Sequence, residues 1–251
     1  MFNPVRWFFD VNKKCFRAIS QIFPNTKFSI DKYYREQVIK SLADGCTVVD
    51  VGGGKTWQFQ EERTRFKGLK VIAVDISAEE LSYNNDADEK IVFAMGTDEH
   101  LPIVDNSVDL VTSHMVLEHI SNNDLTIREV SRILKSGGKF ISVMPNKFAL
   151  FAIINQILPH KFAQKLLFAI NPAAKQSQDF KAYYHKTYYP ALYKLLIRHG
   201  FTRINFAFTY SQSGYFGFFV PFALVSLMWD FLMYAFGITP LCAYICFTAE
   251  K

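Results

Sequence analysis

The sequence predicts an α/β chain built around a mostly parallel sheet, and three observations predict it. Short β-branched runs, V-V-D-V at 48–51, V-I-A-V-D at 71–75, V-D-L-V-T-S at 108–113 and K-F-I-S-V at 139–143, alternate with helical patterns, as crossover-connected parallel strands do. The first run opens into the glycine turn Gly52-Gly53-Gly54. The first two runs each carry an aspartate at or near the carboxyl end, Asp50 and Asp75, where ligands bind in open α/β sheets.

The elements follow in order. From Phe2 to Phe23 the residues Val5, Phe8, Phe9, Val11, Cys15, Ile19, Ile22 and Phe23 make a helical stripe with Arg6, Lys13, Lys14 and Arg17 between them. That segment, within 1–30, reads either as a helix packed across the core or as an amphipathic helix on a membrane surface. The basic residues interrupt every apolar run before signal-peptide length. Asp31–Ala43 reads as a helix stopped by Asp44-Gly45, followed by a strand at Thr47–Val51, a helix at Thr56–Phe66 and a strand at Leu69–Asp75. Ser77 with Glu80 three residues on is a capping box. Strands are expected at Ile91–Ala94, Val108–Ser113 and Lys139–Val143, with a helix at Asn123–Leu134 before the last.

The glycine turn admits three ligands by type. Gly54-Lys55-Thr56 suggests a phosphate loop, but that motif needs a glycine where Val49 stands, which excludes ATP. A dinucleotide fingerprint needs a small residue where Trp57 stands, which argues against NAD. What remains is a glycine loop flanked by two carboxylates. Asp75 is placed to accept ribose hydroxyls, and Asp50 to organise the loop or face a cation.

From Gly96 the chain reads G-T-D-E-H-L-P-I-V-D-N-S-V-D-L-V-T-S-H-M-V-L-E-H-I, and then R-E-V-S-R-I-L-K-S-G-G-K-F-I-S-V-M-P-N to Asn146. With the two acidic strand ends, these segments resemble the class I S-adenosylmethionine-dependent methyltransferases of the type 11 group, over roughly residues 30–146. The resemblance implies a Rossmann-like seven-stranded sheet with the last strand antiparallel. It implies S-adenosyl-L-methionine as cofactor and S-adenosyl-L-homocysteine as product. It places Asp50, Gly52, Gly53 and Gly54 at the methionine end, Asp75 on the ribose and Ile76 on the adenine face. Thr97 and Asp98 fall at the adenine edge and Ser113 beside the methionine portion. Two positions depart from the pattern: Thr56 replaces the third loop glycine, and Thr97 stands where an aspartate is usual. The helix Leu192–His199 and strands Phe201–Thr209 and Leu241–Thr248 would complete the sheet.

Methyl transfer to a hydroxyl needs a base, and His114 and His119 lie just past the fourth strand. His114 is the better candidate, while His119, in an L-E-H triplet shared across the type 11 group, reads as structural. Glu118 reads as organising its turn. Tyr183, Tyr184 and His185 lie in D-F-K-A-Y-Y-H-K-T-Y-Y-P, which resembles a segment of polysaccharide-cluster methyltransferases and suggests an acceptor pocket.

The whole chain, 1–251, reads as a single domain carrying two insertions, 147–181 as a lid and 214–239 as an apolar segment. Aromatics, 25 Phe, 12 Tyr and 3 Trp, make up 16% of the chain. Between Arg203 and Glu250 the only charged residue is Asp230. The second insertion is long enough to cross a bilayer, yet strands six and seven must share a sheet, so a re-entrant or surface-lying hairpin is expected. A net charge of +5 gives no case for nucleic acid. Cys15, Cys46, Cys242 and Cys246 lack metal-ligand spacing and read as reduced, buried fillers, so no metal is expected. The reading is a cytoplasmic methyltransferase, peripheral (monotopic) at the inner face of a membrane, acting on a hydrophobic, lipid or lipid-linked glycan acceptor. Two alternatives stand beside it: a soluble O- or N-methyltransferase whose insert is a lid or homodimer seam, and a non-catalytic cofactor-binding subunit.

Overall fold

The computed structural model describes residues 4–158 and 180–251. Seven strands form one sheet: β1 (Thr47–Val51), β2 (Lys70–Asp75), β3 (Glu89–Val92), β4 (Val108–His114), β5 (Leu134–Pro145), β6 (Thr202–Thr209) and β7 (Tyr244–Glu250). Their spatial order is β3-β2-β1-β4-β5-β7-β6, with β7 antiparallel to both neighbours. The strand order reverses between the parallel neighbours β1 and β4, so the carboxyl ends of β1, β2 and β4 open onto one crevice.

Helices cover both faces: α1 (Pro4–Ser20), α2 (Ile30–Ser41), α3 (Ala78–Tyr83), α4 (Asn123–Ile133), α5 (Leu150–Ile157), α6 (Tyr189–Arg198) and α7 (Val220–Ala235). One core packs α4 and α6 under the sheet through Ile127, Val130, Leu192 and Leu196. The other packs α2 on the opposite face through Tyr34 and Val38. Caps set the boundaries: Ser77 Oγ accepts the Glu80 N–H, as the capping pattern predicts, and Ser29 Oγ, not read as a cap from the sequence, accepts the Lys32 N–H.

The helix expected over 56–66 does not form; a 3-10 turn, Gln60–Arg65, stands in its place. Trp57 and Phe59, two residues apart, are both driven into the α2 core, which one helix face cannot achieve. Asp86 fixes this arrangement by accepting the Trp57 N–H at 3.0 Å. The third strand begins and ends two residues earlier than expected, and the last begins three residues later.

The apolar insertion is one 16-residue helix, α7, between two 3-10 turns, Ser213–Phe216 and Thr239–Leu241, rather than a hairpin. Pro221 stands in its first turn and Gly237, at φ 62°, lies just past its end. Helix α1 packs on it through Phe16 and Ile19, and Phe23 just past its end joins them in one cluster with Ala223 and Leu227. The stripe read from the sequence is thereby split: Phe16, absent from it, is the buried anchor, while Phe8, Val11 and Cys15 face outward. Cys15 is accordingly exposed and not a core filler; the other three cysteines are buried. Of the lid expected over 147–181, α5 and residues 180–181 are described, and 159–179 lie outside the described residues. Among the described residues no helix is long and apolar enough to cross a membrane.

Candidate functional site

The glycine loop leaves β1 with Gly52 at φ 76° and Gly54 at φ 42°, the left-handed region that favours glycine. A Cβ on Gly52 would overlap the Val116 Cγ2 methyl, and one on Gly53 would lie 2.8 Å from Ala73 Cβ. These two glycines therefore let the chain pack on itself, and Gly54 alone faces a movable neighbour, the Glu80 carboxylate at 3.3 Å. Gly52 and Gly53 both donate to Val74 O, and Asn84 Nδ2 donates to Gly53 O and Gly54 O. Asn84, fully buried, is a loop anchor that the sequence reading missed, for it lies 30 residues away beyond α3.

Asp75 ends β2 with both oxygens engaged: Oδ2 accepts the Gly54 N–H at 3.0 Å and Oδ1 the Ser77 N–H at 2.8 Å. Each carboxylate oxygen has a second lone pair, so ribose hydroxyls remain within its capacity. Ile76 follows it, 58% exposed at the crevice rim. Asp50 is buried and accepts the Thr112 hydroxyl at 2.6 Å. Desolvation, with the charge of Asp75 adding, raises it to about 7 against the Thr112 bond. A cation beside Asp50 would hold it ionised. Gly96, at φ 84°, turns tightly against Ile120 and Asn122; Thr97 donates to Ala94 O and Asp98 is exposed.

Ser113 pairs with Val51 across β1 and β4 and is fully buried, its Oγ without a partner among the described residues. Next to it His114 Nε2 lies 3.1 Å from Asp31 Oδ1, on the first turn of α2, and its ring stands 5.2 Å from that of Tyr34. His119 Nδ1 meets Lys181 O at 3.2 Å and its ring meets Phe180, so it ties its turn to the segment after the described gap.

The three tyrosine-segment candidates separate. Tyr183 is exposed, with Lys181 Nζ over its ring. His185 Nδ1 accepts the Asn123 N–H and so serves the start of α4. Tyr184 is buried, at φ 49°, and faces inward to Asn155 of α5. Beyond it, Tyr215 Oη and Tyr244 Oη are 2.7 Å apart, with Phe151 stacked on Tyr215. Neither tyrosine was legible as a site residue, since one sits in the apolar insertion and the other starts β7.

Glycine cradle, paired acids and an orphaned Ser113 hydroxyl suit a ligand with polar hydroxyls and a cationic end. Residues 49–142 match the model of a family described as a methyltransferase domain. A ubiquinone/menaquinone biosynthesis C-methyltransferase of Hahella chejuensis is 29% identical over 123 residues, 46% of each chain. A malonyl-[acyl-carrier protein] O-methyltransferase of the same organism is 27% identical over 116 residues, 45% of this chain and 42% of that one. The chain thus spans less than half the length of these curated relatives. Among solved structures, phosphoethanolamine N-methyltransferase 2 of Haemonchus contortus superposes with a TM-score of 0.54 at 17% identity, over 88% of this chain and 52% of that one. Geranyl diphosphate C-methyltransferase of Streptomyces coelicolor A3(2) does so at 0.54 and 15%, over 88% and 79%. Residues 49–142 are thus similar to the methyltransferase-domain family, and the seven-stranded sheet has the fold of the methyltransferases on which it superposes.

Proposed function

We propose that the protein transfers a methyl group from S-adenosyl-L-methionine to a hydrophobic acceptor presented at a membrane surface. The observation that carries the cofactor is the crevice where Asp50, the glycine loop and Asp75 meet at the ends of β1 and β2. Bound there, the cofactor supplies an activated methyl on a sulfonium. Asp75 would hold the ribose, Ile76 the adenine face, and Asp50 the loop and the cationic methionine end. Ser113, with its unpartnered hydroxyl, would orient the same end. His114, held by Asp31, would take the proton of the acceptor. Positioning is the other contribution, since well-oriented reactants gain on the order of 7–11 kcal/mol.

The membrane reading rests on α7. Its inward face, Ala223, Ser226, Leu227, Asp230 and Met233, is buried. Its outward face carries Phe222, Val225, Met228 and Leu232, between 40% and 72% exposed, and α1 adds Trp7, Phe8 and Val11 beside it. A helix apolar on both faces belongs inside something. The α1 sequence carries Arg6, Lys13, Lys14 and Arg17, which suits an anionic lipid surface. Burying roughly 400 Å² of such surface is worth about 10 kcal/mol of gross transfer free energy. Asp230 locks α7 to the 3-10 turn Ser213–Phe216 by accepting the Gln212 and Ser213 N–H groups at 2.9 and 3.0 Å, so the lipid face would adjoin Tyr215.

Calorimetry with S-adenosylhomocysteine and ATP tests the cofactor. Binding of ATP with none of S-adenosylhomocysteine overturns the reading.

A further inference from the structure

We propose that the recess beneath the 3-10 turn Ser213–Phe216 is an ammonium subsite, and that the acceptor atom it presents is an amine nitrogen. This rests on the methyl-transfer reading above and names its substrate class.

The recess is assembled from four elements. Tyr215 on the 3-10 turn and Tyr244 at the start of β7 share a hydrogen bond of 2.7 Å between their hydroxyls. Phe151 of α5 stacks on Tyr215, 4.5 Å between centroids at 15°, and lies 5.4 Å from the Tyr244 ring. One helical turn on, Asn155 Nδ2 donates to Tyr184 Oη at 3.4 Å. Tyr184 is anchored to Glu118, whose carbonyl accepts the Tyr184 N–H at 3.0 Å and that of Tyr183 at 2.7 Å. Glu118 itself is 4% exposed, and its Oε2 has no hydrogen-bond partner among the described residues. Register puts the recess on the sheet's carboxyl edge: Tyr244 pairs with Pro145 and Cys246 with Val143, which pairs in turn with His114.

The chemistry of this lining is one-sided. The charged groups that bear on Tyr215 and Tyr244 are Glu118 and Asp31, both acids. Among the described residues, the basic group that pairs with the carboxyl is His119, with Nε2 3.9 Å from Glu118 Oε1. Burial pushes Glu118 up to about 8, so at pH 7 it is mostly protonated. Burial likewise pushes the phenols of Tyr184, Tyr215 and Tyr244 up, and they stay neutral. Ring faces attract a cation and a latent carboxylate completes its charge, whereas an anion would meet two acids. An ammonium entering the recess favours ionised Glu118 and expels its proton. For transfer, the bound ammonium gives one proton to His114 and so frees a nitrogen lone pair. That lone pair takes the methyl, the carbon–sulfur bond breaks with its electrons left on sulfur, and the methylammonium product keeps the charge.

The test uses the full chain with S-adenosylhomocysteine, titrated by calorimetry in buffers of different ionisation enthalpy. The probe is butyltrimethylammonium, which has no proton of its own, against butanol and butanesulfonate. Expected is selective binding of the ammonium, with about one proton released per ligand at pH 6–7. Affinity should rise about tenfold per pH unit there and level off above pH 8. Glu118→Gln, checked for retained S-adenosylhomocysteine binding, should make the ammonium affinity flat with pH; His119→Gln should keep the proton release. Equal binding of butanol or butanesulfonate, binding without proton release, or release that persists in Glu118→Gln overturns the inference. So does proton release on binding S-adenosylmethionine but none with the ammonium. Should S-adenosylhomocysteine not bind, the methyl-transfer reading falls, and the ammonium titration run without it still decides the recess.

Discussion

His114 Nε2 and Asp31 Oδ1, 83 residues apart in sequence, meet at 3.1 Å and join the end of β4 to the start of α2. A carboxylate on one ring nitrogen fixes the tautomer and leaves the other nitrogen to take a proton. His114→Ala should therefore lower turnover by roughly 10²–10⁴-fold with cofactor affinity little changed. Asp31→Asn should lower it less and move the pH–rate profile. His119→Ala, which cuts the link to Lys181, should mainly lower the melting temperature. Turnover within twofold of wild type in both His114→Ala and Asp31→Asn would place the base elsewhere.

At the cofactor crevice, Asp75→Ala removes a carboxylate that holds Gly54 and Ser77 and is expected to hold the ribose. Hydrogen bonds of that charged kind are worth roughly 1.5–3 kcal/mol each, so S-adenosylhomocysteine affinity should fall at least tenfold. Unchanged affinity by calorimetry would separate Asp75 from the ribose.

Two glycines with similar backbone angles distinguish crowding from backbone strain. Gly45, at φ 72°, has nothing within 4 Å of a built Cβ, while Gly52, at φ 76°, meets Val116. Gly45→Ala should cost about 1 kcal/mol, from φ alone. Gly52→Ala should cost a further ~1–3 kcal/mol for overpacking. Denaturant melts of both variants measure the difference, and equal losses would mean that Val116 yields freely.

Three buried carboxyls have raised pKa values: Asp230 about 6, Asp50 about 7 and Glu118 about 8, in each case chiefly by desolvation. In the unfolded chain all three ionise near pH 4, so between pH 4 and 8 the native state holds more protons, and stability falls from about pH 4 until each group has ionised in the native state, by about pH 6, 7 and 8. Asp88, Asp124 and Glu129 are shifted down, and their contribution is lost in acid. Melting temperature should peak near pH 4 and be lower at pH 8.5 by at least the ~2–4 °C that 1 kcal/mol represents in a chain of this size. A profile rising from pH 5 to 8.5 would show that these carboxyls ionise freely in the native state.

The lipid reading predicts that the full chain sediments with anionic liposomes at low salt. Phe222→Ser, Val225→Ser and Met228→Ser together should abolish this while S-adenosylhomocysteine still binds. Were the wild type to remain free of liposomes and to run as a dimer that the triple variant splits, the α7 face would be a seam between copies.

How much was legible follows from the range of each interaction. Asp50, Asp75, the glycine loop and the Ser77 cap are local patterns, and each fell where the strand alternation placed it. The turn at 57–66 was misread because Trp57 and Phe59 obey the α2 core and not a helical period. Asp31, Asn84, Tyr215 and Tyr244 acquire their roles only by tertiary contact, and nothing in their neighbours marks them. Position 16 shows the same limit: Phe16 is not part of the stripe read from the sequence, and its buried place comes from α7.

Asn12 Oδ1 of α1 accepts the Val220 N–H that opens α7, across 208 residues of chain. At about 5–20 residues per second, a ribosome takes roughly 10–40 s to make the stretch between them. Helix α1 therefore waits through that interval for the surface it packs on. Throughout that interval Phe16 and its neighbours have no protein surface to cover them, and a nearby bilayer would meet α1 long before α7 exists.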